Sequence, residues 1–208
     1  MEKFNLLIVH DNFQTSLHDD DDVNLHFYLQ SYEELNKFFN LMGTVFGFVS
    51  NDLRAKIDIL SELLTKNVDN FQTVKRMIEY EKNNLLLEKS GYTSGSRTLL
   101  RLHRGLDFIR LFLKNIGEIR DEDDTGCVCR EAYNVTLAKH HPFLIRKGAQ
   151  LAMYTMPTRV DLLKKVCGDD EESINNAINV LPRTLEVTGT VFERIEKLYE
   201  VHNLHGLP

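Results

Sequence analysis

The feature that most limits how this chain can fold is its rhythm: apolar residues recur at three- and four-residue spacing nearly from end to end, and only four of 208 residues are proline. That spacing is the period of an α-helix with one buried face. No segment sustains the alternation of a half-buried strand, so the expectation is an all-α single domain over residues 1–208. Breakers and caps divide it into helices at Phe4–Leu17, Leu25–Val49, Asp52–Leu64 and Phe71–Glu88, with the acidic run Asp19–Asp22 as a solvated linker. After a loop over 89–95, Ser96 is the expected N-cap of a helix at Arg97–Ile119. Cys127–His140 follows and stops at Pro142, because the residue before a proline is driven out of the helical region. Further helices run to Tyr154, from Pro157 to Val166, and over Ser173–His202.

A chain of this length with 42% hydrophobic residues can bury one sizeable core. Its net charge of -6 argues against general nucleic-acid binding, so any anion site has to be local. The first ten residues hold a short apolar run and an early acid, unlike a signal peptide, and no run approaches the ~18 apolar residues of a membrane span. Three cysteines (Cys127, Cys129, Cys167) without a secretory signal suit a reducing cytosol better than a disulfide framework. Cys127-Val128-Cys129 lacks the two-residue gap of a zinc knuckle, and adjacent His140 and His141 point about 100° apart on a helix. There is no Gly-rich phosphate loop, nucleophile elbow or HExxH motif. The expectation is a binding protein with no metal, no cofactor and no catalytic residues.

The most informative segment is the helix beginning at Arg97. Arg97, Arg101 and Arg104 stand at i, i+4 and i+7 and share one face, which continues into Phe108, Leu111 and Phe112. One face is therefore cationic for two turns and oily for the next two. Two readings are open. The arginines pair with acids on a neighbouring helix or face water, or they gather a phosphate, which suits both the forked guanidinium and the first turns of a helix.

A second stripe, Phe38, Met42, Val45, Val49, Asp52 and Lys56, is apolar and turns polar at its C-terminal end, where Asp52 and Lys56 can form an i, i+4 ion pair. If it packs antiparallel to the arginine helix, polar ends meet and oily ends meet. The pair then encloses a phosphate-sized recess above an apolar channel lined by Phe39, Met42, Val45, Phe46, Val49, Phe108 and Phe112. The channel lining is expected to pack shut and to part as an oily ligand enters.

A third segment is Lys139-His140-His141-Pro142-Phe143-Leu144-Ile145-Arg146-Lys147. A histidine at this helix break can donate to a buried carbonyl, or it can be an ordinary capping or core histidine. Phe143, Leu144 and Ile145 with Arg146 and Lys147 form an apolar tip ringed by cations, which suits an anionic membrane interface or simply opens an amphipathic helix.

The segments Arg97–Leu106, Tyr133–Phe143 and Tyr154–Arg159 closely resemble the glycolipid transfer protein superfamily, and the likeness runs nearly the whole length, through Leu207-Pro208. The resemblance implies a two-layer helical sandwich that encloses the ceramide chains of one sphingolipid and carries it between membranes, with no cofactor and no chemistry. Residue by residue, it implies that Asp52 accepts from the sphingoid amide and hydroxyl and that His141 donates to the acyl carbonyl. It implies that Lys56, Arg97 and Arg101 cradle a phosphate with Arg104 beside them. Phe143 falls at a membrane-docking position where an indole is common in similar proteins, with Ile145, Arg146 and Lys147 completing the tip. Members that carry neutral glycolipids stack a tryptophan on the first sugar at the position of Arg101. This chain has no tryptophan, so a phosphate head, as in ceramide 1-phosphate, is the implied cargo. A cytosolic monomer touching membranes transiently is the resulting expectation. A sensor that binds the same lipid without bulk transfer needs the same pocket and is the alternative.

Overall fold

A computed structural model describes residues 3–43 and 46–208. In chain order the elements are α1 (Leu6–Ser16), a hairpin of β1 (Leu17–His18) and β2 (Asp22–Val23), α2 (Leu25–Leu41), α3 (Gly47–Lys66), α4 (Val68–Phe71) and α5 (Val74–Asn83). There follow α6 (Gly95–Glu118), α7 (Thr125–Val135), α8 (Phe143–Met153), α9 (Arg159–Cys167) and α10 (Glu171–His202). The helices form a two-layer sandwich. Contacts run from α1 to α2, α3, α6 and α10 and back to α1, and α7 joins α8 to α6. Each helix turns its three-four apolar face inward, and Tyr28, Tyr32, Phe13, Ile57, Leu99, Ile195 and Tyr199 are fully buried. Two of those tyrosines keep their hydroxyls satisfied by tying neighbours to α6: Tyr32 donates to the Leu102 carbonyl at 2.6 Å and Tyr199 to that of Ser96 at 2.6 Å.

The departures from the sequence reading are local. The helix expected over Leu25–Val49 breaks after Leu41, because Gly43 adopts φ +102°, a conformation that favours glycine, and Lys165 Nζ caps the freed Met42 carbonyl at 3.1 Å. Val45 lies outside the described residues. The helix expected over Phe71–Glu88 is three pieces: α4, α5 and a 3-10 turn at Leu86–Glu88 entered through left-handed Leu85. Cys127–His140 likewise ends at Val135 and resumes only as a 3-10 turn at Ala138–His140. The acidic run is no simple linker. Asp22 is buried, its carboxylate accepts from the main-chain N–H of Val23 and of Lys75, and Arg194 of α10 donates to the carbonyls of His18, Asp19 and Asp22. This hairpin is also a strand pair that no alternation signalled. Finally, α10 runs through Pro182, whose missing N–H leaves the Ile178 carbonyl unpaired in the helix; both side chains are solvent-exposed, so water can serve it.

Candidate functional site

The site is organised by α6. Its N-cap is Ser94 rather than Ser96: the Ser94 hydroxyl accepts from Arg97 N–H at 3.1 Å. Behind the cap lies Glu81, fully buried on α5, whose carboxylate accepts from the Tyr92 and Ser94 hydroxyls and from the main-chain N–H groups of Gly95 and Ser96, at 2.6–2.9 Å. The anion that the helix dipole favours is thus supplied by the chain itself. An external phosphate has to bind further along the helix.

One turn and more along α6 stands a cavity of about 600 Å³. Its walls come from α2 (Phe38, Phe39), α3 (Phe48, Val49, Leu53), α6 (Phe108, Ile109, Phe112), α7 (Cys129, Tyr133) and α8 (Ala149, Ala152, Met153), with Met42 and Phe46 between α2 and α3. Six of the seven residues expected to line a channel do so, and the seventh is Val45. The lining is not packed shut, contrary to expectation: an open volume remains beside Phe108, which stacks on Phe112 of the same helix at 5.9 Å and meets Tyr133 of α7 edge-on at 6.3 Å. The buried Cys129 thiol on the wall is pushed up to about 12 by that burial.

Polar groups gather at one end. Asp52, Lys56, Arg101, Arg104, His140 and His141 all border the cavity there, so the polar end of α3 and the N-terminal half of α6 meet as the stripes required. Lys56 is mostly buried and ion-paired with Asp52. Among the described residues neither Arg101 nor Arg104 has an Asp or Glu side chain in ion-pair contact; their hydrogen-bond partners are main-chain oxygens, Pro208 for Arg101 (3.4 Å) and His205 for Arg104 (2.8 Å). The reading in which they pair with acids on a neighbouring helix is therefore overturned. Burial, and then the charge on Arg101, hold the Arg104 guanidinium below its ordinary value. Arg97 does not join them. Four residues earlier, about 6 Å back along the helix axis, its guanidinium turns away to the Leu87 carbonyl at 2.7 Å.

Among the described residues, His141 donates to no chain carbonyl. Its Nδ1 lies 2.8 Å from the Tyr133 hydroxyl. Burial holds the ring's pKa down, with Lys56 acting in the same sense and Asp52 against it, while burial holds the Tyr133 phenol up. Both groups are accordingly neutral at pH 7; in the tautomer in which the phenol donates to Nδ1, the ring proton sits on Nε2 and is free to donate. Outside the cavity, Phe143 (61% exposed), Leu144 (80%) and Ile145 (47%) project from the start of α8 beside exposed Arg146 and Lys147. Ile145 is also a cavity wall, so the tip and the cavity are continuous. Phe48, half exposed on α3 and lining the same opening, was missed in the sequence reading, as were Gly105 and Tyr133. Gly105 had a signal: a lone glycine inside a strong helical stripe.

The family model described as glycolipid transfer protein (GLTP) matches residues 23–168. The chain belongs to the glycolipid transfer protein family. Among its relatives, the ceramide-1-phosphate transfer protein of Danio rerio is 35% identical over 212 residues, covering 100% of this chain and 99% of that protein. The Homo sapiens ceramide-1-phosphate transfer protein is 33% identical, covering 99% and 97%. The crystal structure of the mouse ceramide-1-phosphate transfer protein in its apo-form aligns with a TM-score of 0.91 at 33% identity, covering 99% of this chain and 100% of that one. The human protein in complex with 12:0 ceramide-1-phosphate gives 0.87 at 31%, with 99% and 100% covered. Among the described residues of this glycolipid transfer protein family member, no helix is long and apolar enough to cross a membrane.

Proposed function

We propose that this protein is a monomeric, non-enzymatic carrier that moves ceramide 1-phosphate between membranes through the cytosol. The observation that carries the reading is an apolar cavity whose rim holds two guanidiniums with no Asp or Glu side chain in ion-pair contact among the described residues. Lys56, Arg101 and Arg104 take the phosphate by charge-assisted hydrogen bonds, and Arg97 adds its charge from one turn away. Asp52 and the Nε2–H of His141 read the ceramide amide linkage. Ceramide-1-phosphate transfer proteins related along the full length support this cargo over a sugar-headed one.

The energetics favour a sleeve over free diffusion. Exposing acyl chains to water costs about 0.8 kcal/mol per methylene, so two long chains amount to some tens of kcal/mol. Walls of Phe39, Met42, Phe46, Val49, Phe108 and Phe112 replace one oil with another, and transfer runs down the concentration gradient without an energy source. Docking falls to Phe143, Leu144 and Ile145 with Arg146 and Lys147, helped by Phe48 across the opening. A net charge of -6 makes that contact local and sensitive to salt.

The test is intermembrane transfer of fluorescent ceramide 1-phosphate, galactosylceramide and phosphatidic acid by the wild-type protein and by Arg101→Ala. Transfer of ceramide 1-phosphate alone, slowed about tenfold or more in Arg101→Ala, is expected from the loss of one charge-assisted contact. A folded wild-type protein that binds the lipid but transfers nothing would leave the sensor reading instead.

A further inference from the structure

The last residues of the chain close a circuit around the cavity rim. At the end of α10, Asn203 takes a left-handed conformation, and the Leu204 N–H returns to the Tyr199 carbonyl at 2.9 Å, so the segment 203–208 folds back over α6. Leu204 is buried and Leu207 packs on the core, which anchors the turn. Within the turn, His205 faces Glu196 of α10. One Glu196 oxygen lies 3.0 Å from His205 Nε2 and the other 2.6 Å from Nε2 of His103, a buried residue of α6. The His205 carbonyl in turn accepts from Arg104 at 2.8 Å, and Arg104 follows His103 in sequence. The path His103–Glu196–His205–Arg104 therefore begins and ends at neighbouring residues of α6.

We infer that Glu196 and His205 are positioning residues for the head group: they hold the segment 203–208 so that its main-chain oxygens aim the Arg104 and Arg101 guanidiniums at the cavity mouth. This rests on the carrier reading above. Arg101 and Arg104 repel one another and have long, flexible side chains, so without a partner each would swing apart into water. The His205 carbonyl uses one N–H of the Arg104 guanidinium and leaves four of its five donors for a ligand. It also adds no formal charge, so Arg104 keeps its attraction for an anion. A carboxylate in the same place would cancel that attraction. The Glu196–His205 pair itself is about half exposed, with side-chain exposures of 45% and 44%, and such a pair contributes little to global stability. Its effect is then on aim rather than on the fold.

His205→Ala removes the imidazole while leaving the part-buried Glu196–His103 contact in place. The experiment measures equilibrium capture of fluorescent ceramide 1-phosphate, and of the same ceramide without phosphate, from phosphatidylcholine vesicles. It uses wild type, His205→Ala, His205→Gln, Arg104→Ala and the double variant His205→Ala/Arg104→Ala, with thermal unfolding in parallel. In His205→Ala we expect affinity for the phosphate-headed lipid to fall about three- to tenfold. Capture of plain ceramide and the unfolding temperature stay as in wild type, and His205→Gln, which can still donate to Glu196, recovers part of the loss. In the Arg104→Ala background, His205→Ala costs less than it does in wild type, because only the aim of Arg101 is left to lose. Equal loss for both lipids, full additivity in the double variant, or wild-type capture by His205→Ala would each overturn the inference. A wild-type protein that fails to capture ceramide 1-phosphate at all would instead overturn the carrier reading.

Discussion

Two places on α6, less than two turns apart, concentrate polar groups in opposite ways. At the N-terminus, Glu81 is fully buried and its carboxylate meets four donors at hydrogen-bond distance. At the rim, Arg101 and Arg104 lie half in water with a single main-chain oxygen each. The first cluster is closed around its own anion: the four donors that face the Glu81 carboxylate are all taken by it, although the buried Ser96 hydroxyl beside them has no partner. The second is open, with several guanidinium N–H groups uncommitted above an apolar cavity. Polar density alone does not mark a site; unmet hydrogen-bonding capacity beside a cavity does.

The contrast breaks most sharply under truncation. Glu81→Ala strands two buried main-chain N–H groups and two hydroxyls, and the expected cost is about 3–5 kcal/mol by urea unfolding. Arg101→Ala, at the open cluster, should change stability by no more than about 0.5 kcal/mol. Equal costs at the two positions would erase the distinction. A gentler probe lies between the charged and oily halves, at Gly105, where an added Cβ meets no atom within 4 Å. Gly105→Leu should raise stability by about 0.5–1 kcal/mol through helix preference while lowering lipid transfer several-fold, because the new side chain occupies the cavity. Unchanged transfer by that variant would mean the cargo does not pass this point.

The smallest expected effect concerns pH. Burial lowers the His103 pKa, its Nδ1 has no partner, and a second proton there would bury an unmatched N–H. The native state thus binds fewer protons at this ring than the unfolded chain does, so its stability contribution is complete above about pH 6.5 and declines as pH falls below that ordinary histidine value. Glu196, lowered by its hydrogen bond from His103, acts in the same direction: its contribution is present above the ordinary carboxylate range and is lost as pH falls through its lowered native value. Asp107 opposes the His103 shift, His205 reinforces it, and His140, His141 and His202 carry shifts of the same sign. Thermal unfolding of wild type should therefore weaken from pH 7 to 5, and His103→Gln should weaken by less. Parallel curves would remove His103 from the account.

How much of this was legible in the sequence follows from what a helical period encodes. Period alone placed Arg101, Arg104, Phe108 and Phe112 on one face of α6, and all four border the cavity. Period could not see that the stripe from Phe38 to Lys56 folds back on itself, because the break depends on one glycine, Gly43, in a left-handed conformation. Nor could it see that Arg97 leaves its face, since the Leu87 carbonyl that draws it is placed by the left-handed turn at Leu85. Glu81 was invisible for the same reason: it reaches the start of α6 only after the intervening loop has doubled back. Asp22 looked like its acidic neighbours, and only the arrival of Lys75 and Arg194 from distant parts of the chain sets it apart.

The thiol on the cavity wall has a consequence for durability. Oxidation and alkylation of cysteine proceed through the thiolate, and Cys129, held up to about 12, forms almost none of it at neutral pH. A sulfenic or sulfinic acid at this position would place a polar group against the acyl chains and spoil the wall from inside. The burial that makes the wall oily therefore also keeps it chemically quiet, and Cys127, the exposed cysteine two residues earlier, is the thiol that oxidants would meet first.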